Sequence, residues 1–164
     1  MTPQRPNVGV PSPTCQKLNP NWISGFVDGE GCFHVGINRH PELRFSRQIL
    51  PELTVVQHKR DMDLLYRIRS AMNCGVVRRN HADRYCWRVR DLDNLANIII
   101  PFFERYPLRS RKRIEFLKFA KVIRMMRAKL HLTQEGFDEI CKIALTMNRC
   151  AIGKVRTKRE SIPK

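Results

Sequence analysis

No apolar run in the 164-residue chain approaches the ~20 residues that a membrane span needs. The longest candidate, Ile98-Ile99-Ile100-Pro101-Phe102-Phe103, is short and broken by Pro101. No membrane span is therefore expected, and a membrane is not the expected partner. The six cysteines, at 15, 32, 74, 86, 141 and 150, form no C-x-x-C pair, and none is spaced against the five histidines as zinc ligands are. With no apolar h-region of a secretory signal near residue 1, the cysteines read as reduced thiols that mostly fill the core. No internal repeat is present. Acids are scarce: 15 Asp and Glu stand against 31 Lys and Arg, for a net charge of +16 and a pI near 10.3. Such a balance calls for a polyanionic partner. Nucleic acid leads, with ribosomal RNA and anionic membrane surfaces as rivals.

What is present suits one domain with a real core, since 42% of residues are hydrophobic. Residues 1–18 hold four prolines and read as a flexible arm. Residues 19–149 carry the periodic segments. Residues 150–164 form a basic tail.

The stretch Asn19-Pro20-Asn21-Trp22-Ile23-Ser24-Gly25-Phe26-Val27-Asp28-Gly29-Glu30-Gly31 organises the rest. Asn19 suits an N-cap and Pro20 the first helical position. Trp22, Ile23, Phe26 and Val27 give a wide apolar face. Ser24, Gly25 and Gly29 form another edge with almost no side chains, where a second backbone can approach closely. The helix then ends on an acid, Glu30, at the negative end of its own dipole. Such a local conflict marks a candidate functional site.

Downstream, Cys32–Asn38 alternates as a strand with Phe33, Val35 and Ile37 inward. A turn follows, then a second strand from about Gln48 to Val56, with Pro51 on the inward parity, which calls for a bulge or an edge position. Lys59–Met72 has helical spacing and closes at Asn73-Cys74-Gly75. Val76–Asn80 and Arg84–Arg90 read as a hairpin; in the latter, Tyr85, Trp87 and Val89 alternate with Arg84, Arg88 and Arg90. Asp91 can cap a helix that Pro101 ends or kinks. Ser110 can cap the next, with Phe116, Phe119, Ala120, Ile123 and Met126 inward. A last helix runs from about Thr133 to Met147. Periodicity alone supports an α+β fold with antiparallel hairpins.

The nine residues Ile23-Ser24-Gly25-Phe26-Val27-Asp28-Gly29-Glu30-Gly31 resemble the motif that names the LAGLIDADG homing endonucleases. The element order α-β-β-α-β-β-α, with extra C-terminal helices, is similar to the single-motif members from about Asn19 to Met147. The resemblance implies that family's fold, with an antiparallel sheet forming a DNA-binding saddle. It implies a metal-dependent, site-specific double-strand DNA endonuclease, encoded in a group I intron. It implies Mg²⁺ as the cofactor, with Mn²⁺ as a substitute. Glu30 matches the family's metal-binding acid, and the Gly29 carbonyl lies beside the metal. Gln57 matches a glutamine that positions water. Arg111 matches the basic active-site residue, with Lys112, one position on, as the other choice. One motif per chain implies a homodimer packed along Ser24, Gly25, Asp28 and Gly29, so that two copies of Glu30 meet. The implied home is an organelle, chloroplast ahead of mitochondrion.

Readout belongs on the polar sheet face, because a two-stranded ribbon fits the major groove. The candidates are His34, Asn38, Arg39, Arg44, Gln48, Glu52, Thr54, Arg78, Asn80, Arg84 and Arg88. Strands of roughly nine residues imply a near-palindromic site of roughly 20 base pairs for two subunits. Two alternatives carry no cleavage: a maturase on the same scaffold that binds intron RNA, and a basic RNA-binding protein.

Overall fold

The computed structural model describes residues 17–147, so the tail and nearly all of the arm lie outside the described residues. Helix α1 (Pro20–Glu30) leads into strands β1 (Gly31–Arg39) and β2 (Arg47–His58). A 3₁₀ turn (Lys59–Asp61) opens α2 (Met62–Met72), which is followed by β3 (Val76–His81) and β4 (Arg84–Val89). The short α3 (Leu92–Asn94) runs through a π-helical stretch (Leu95–Ile99) into α4 (Ile100–Arg105). Helices α5 (Lys112–Arg127) and α6 (Gln134–Thr146) complete the order. The four strands form one antiparallel sheet in the order β1-β2-β4-β3.

Local chemistry sets most boundaries. The Asn19 side chain accepts the Asn21 amide at 2.8 Å, and Thr133 Oγ1 accepts the Gly136 amide at 3.1 Å. Asp91 accepts the Asn94 amide at 2.8 Å. Asn73 is left-handed at the end of α2, as expected. Pro101 does not end its helix. The backbone widens into the π turn just before it, which accommodates a residue without an N–H and relieves the ring from the preceding carbonyls. Pro51 pairs in regular register with Val35, without a bulge. The β2–β4 pairing begins only at Leu53, so beside Pro51 one side of β2 is an edge. The bulge falls instead in β3, between Arg79 and His81.

The sheet has two unlike faces. On one, Phe33, Leu53, Val55, Trp87 and Val89 are fully buried under the helices. Phe33 anchors this core, its ring 5.3–5.6 Å from those of Phe103, Phe116 and Phe119. Trp87 donates Nε1–H to the Cys74 carbonyl at 2.9 Å. The four described cysteines are free, and burial pushes the Cys74 thiol up to about 11. No helix among the described residues is long and apolar enough to cross a membrane.

Gly75 fixes the α2–β3 corner. Its φ is +80°, and a Cβ there would lie 2.6 Å from Trp87 Nε1 and 2.8 Å from the Arg88 carbonyl. Gly75→Ala is therefore expected to cost about 2 kcal/mol, read as a lower urea midpoint with an unchanged slope.

Candidate active site and nucleic-acid interface

The end of α1 is where the chain concentrates polar chemistry. Glu30 is exposed and accepts from Gln57 Nε2 at a long 3.4 Å. Gly31 donates its amide to the Val27 carbonyl and leaves the helix at once into β1. A Cβ on Gly31 would stand 2.5 Å from Val27 Cγ1, so the motif's closing glycine is required by the close turn from helix to strand. β1 then starts opposite Val55, which places Glu30 next to the end of β2 and hence next to Gln57.

Two long-range contacts tie this end to α5. Lys112 donates Nζ to the Gly29 carbonyl at 3.1 Å and to the Val27 carbonyl at 3.3 Å. A cation from another helix thus compensates the negative end of α1, the compensation its own last turn lacks. In return, Asp28 accepts the amides of Arg109 (2.9 Å) and Ser110 (2.8 Å) and the Ser110 hydroxyl (2.5 Å), at the entry to α5. Ser110 Oγ in turn accepts the Lys112 amide at 3.1 Å. Burial alone would raise the Asp28 pKa. The Ser110 hydroxyl, the two amides and the Lys112 charge outweigh it and hold the carboxyl below its usual range. Burial lowers the Lys112 pKa, and the charges of Asp28, Cys32 and Glu30 offset that only in part.

Of the two basic candidates, Lys112 is the one whose side chain reaches the end of α1; Arg111 is exposed at the helix start and its side chain caps nothing. The turn at Ser110–Arg113 sets Lys112, one position beyond Arg111, against the end of α1. The small-residue edge also needs correction. Ser24 is buried and donates to the Tyr106 carbonyl at 2.7 Å, so it faces the interior of its own chain. Asp28 likewise spends both oxygens within the chain. What stays open is Gly25 and Gly29, where an added Cβ would meet nothing within 4 Å. Trp22, 43% exposed, stacks on Phe26 beside them at 5.0 Å. Trp22, Gly25, Phe26 and Gly29 follow helical spacing and make one open face.

The second sheet face is open and polar. The register brings Asn38 beside Gln48, His34 beside Glu52, Thr54 beside Arg88, Arg78 beside Cys86 and His58 beside Arg84. Eight of the expected readers therefore share this face: His34, Asn38, Gln48, Glu52, Thr54, Arg78, Arg84 and Arg88. Three do not follow the pattern. Arg44 donates Nη1 to the Leu132 carbonyl at 2.9 Å and lies over Phe45, which holds it against the α5–α6 connection. Arg39 has the parity of the core-facing residues and pairs with Arg47 at the hairpin end. Asn80 sits in the bulge. Glu52 is bound by Arg90 Nε at 2.6 Å. His58 and Arg90 are on the face but were not among the expected readers; the period of two along β2 already placed His58 there.

Among the described residues no group of three or more His, Cys, Asp or Glu side chains could hold a metal. One chain offers the Glu30 carboxylate and the Gly29 carbonyl. These hard oxygens suit Mg²⁺, which keeps several waters, but one chain supplies only part of a site.

The sequence pattern of the LAGLIDADG endonuclease family matches residues 23–123. The chain belongs to that family. It is 32% identical over 148 residues to "Probable intron-encoded endonuclease 2" of Neurospora crassa, covering 89% of this chain and 32% of the relative. It is 47% identical to the homing endonuclease I-TnaI, with a TM-score of 0.78 over 80% of this chain and 89% of that one. Against I-SmaMI bound to cleaved DNA the identity is 28% and the TM-score 0.79, over 90% of this chain and 52% of that one. Other matches are named for introns of ND4 in Podospora anserina and cox1 in Schizosaccharomyces pombe. The chain spans between a quarter and a third of the length of the first curated relatives it matches.

The Asp28 latch has a pH signature. Its folded pKa is depressed, so its contribution is present above the unfolded carboxylate value of about 3.9 and is lost as pH falls through the lower folded value. Asp28→Asn is expected to be less stable than the parent at pH 7. That gap should close below about pH 3.9, as followed by denaturant titrations at both pH values.

Proposed function

We propose that the chain is a homodimeric, metal-dependent endonuclease that cuts double-stranded DNA at a near-palindromic site of roughly 20 base pairs. The observation that carries this reading is the meeting of Glu30, Gln57 and Lys112 at the end of α1, beside an open sheet face lined by arginine. The I-SmaMI chain seen on DNA is about twice as long as the stretch matched here, whereas I-TnaI is matched over most of its length. That contrast supports two copies of this chain doing the work of one longer chain. The open face of Trp22, Gly25, Phe26 and Gly29 is where they would pack, bringing the two Glu30 carboxylates together.

Glu30 and the Gly29 carbonyl would hold Mg²⁺, with the same groups of the second copy. A bound divalent cation polarises a phosphoryl oxygen and activates water. Gln57 donates one amide hydrogen toward Glu30 and keeps its carbonyl oxygen to orient the attacking water. Lys112, anchored over the end of α1, brings positive charge to the scissile phosphate as negative charge builds there. The arginines and lysines attract the backbone, while the polar sheet face lies in the major groove. The relatives named for ND4 and cox1 introns support an intron-encoded product of an organelle; both are mitochondrial genes, so the chloroplast preference has no support from them.

Glu30→Gln is expected to lower cleavage of a randomised duplex library with Mg²⁺ at least about 100-fold while DNA binding persists. Cleavage at the parental rate would overturn the assignment. Lys112→Ala should slow single-turnover cleavage about 100-fold, whereas Arg111→Ala should not. Gly25→Leu adds a side chain where one chain has open space, so it should fold normally yet sediment as a monomer and lose double-strand cutting. A parental protein that sediments as a monomer on its DNA site would refute the dimer.

A further inference from the structure

The register Leu53↔Val89 continues one step to set Glu52 beside Arg90 on the open sheet face. Arg90 Nε donates to Glu52 Oε2 at 2.6 Å, and Thr54 Oγ1 reaches Glu52 Oε1 at 3.4 Å. The carboxylate is the deeper partner, with 20% of its side chain exposed against 43% for the arginine. We infer that Arg90 reads a guanine in the major groove and that Glu52 is the positioning residue that aims it. The inference rests on the sheet being the DNA-binding face, as proposed above, and names what that face recognises.

A guanidinium carries five N–H donors in a rigid fork. Glu52 engages only the Nε–H. The outer edge, with both Nη groups, makes no hydrogen bond among the described residues, and the side chain is 43% exposed. That edge matches the O6 and N7 acceptors of guanine, the commonest specific arginine contact in the major groove. Ordering the side chain before DNA arrives reduces the entropy lost on binding. Arg78, Arg84 and Arg88 share the face without any carboxylate partner among the described residues, so Arg90 alone of these is pre-aimed. Glu52 itself is a poor base reader, because both oxygens are engaged and a free acid on this face would repel phosphates. The pair is neutral, so it adds little to non-specific attraction and acts through specificity.

The test selects cleaved sequences from a randomised duplex library with Mg²⁺, using the full chain, and in parallel selects bound sequences without cleavage. The parent should fix a guanine at one position of each half-site. Arg90→Ala should relax that position about tenfold or more and leave the others unchanged. Glu52→Ala should relax the same position, and Glu52→Gln, which keeps an acceptor for Nε, should restore part of the preference. The pair lies on the sheet surface outside the buried core, so these variants remain foldable and testable. Uniform weakening across all sequences by Arg90→Ala would mark a phosphate contact and overturn the assignment. So would an unchanged profile, or relaxation of a different position by Glu52→Ala. If the parent binds selectively but cuts nothing, the endonuclease reading fails, and the bound sequences still decide Arg90.

Discussion

Two helix ends exchange counter-charges, and much of the candidate site depends on that exchange. Helix α1 ends on peptide carbonyls and an acid, a combination that its own last turn does nothing to neutralise. Lys112, at the first position of α5, puts its ammonium onto the carbonyls of Val27 and Gly29. Asp28, in the last turn of α1, puts its carboxylate onto the amides entering α5. Each helix thus receives from the other the charge that its dipole favours. The two contacts share a pair of elements, so moving one would displace the other. They also leave Glu30 as the acid at that junction still exposed, with only Gln57 at a long distance.

The sheet carries this junction into an open polar surface. Its helix-facing side is closed by aromatic packing around Phe33 and by Trp87, so the strands are held at a fixed register. Because residues on a strand alternate strictly between faces, a fixed register on the buried side also orders the polar side. Arginines on β3 and β4 and the polar residues of β1 and β2 therefore form aligned rows rather than a diffuse charged surface. The rows are not equal: Glu52 holds Arg90, while Arg78, Arg84 and Arg88 have no carboxylate partner among the described residues.

Much of this was legible in the chain. The caps at Asn19 and Asp91, the αL closure at Asn73 and the clean alternation of Arg84–Val89 are local signals, and local hydrogen bonding produced them as expected. The motif from Ile23 to Gly31 led to the acid, the open glycines and the family. Legibility failed where a side chain had to choose between equivalent local options. Ser24 and Trp22 flank the same helix edge, yet Ser24 turned inward because the Tyr106 carbonyl is there to accept its proton. Arg111 and Lys112 differ by one residue, about 100° around a helix, and the turn at Ser110 decided which one reaches α1. Pro51 took the edge position, one of its two readings, whereas at Pro101 a π turn carries the helix on instead of ending it.

The sequence by itself determined the elements, their order, the buried face of each and the motif that marks the site, because these depend on spacing and on contacts within a turn or a hairpin. The tertiary structure alone decided the partners of Asp28 and Lys112, which lie 81 to 85 residues away, and the pairing of Glu52 with Arg90. No local preference encodes such contacts. They follow from how packed helices and strands set the rotation and register of one another, and a rotation of one residue is enough to exchange a functional side chain for a solvated one.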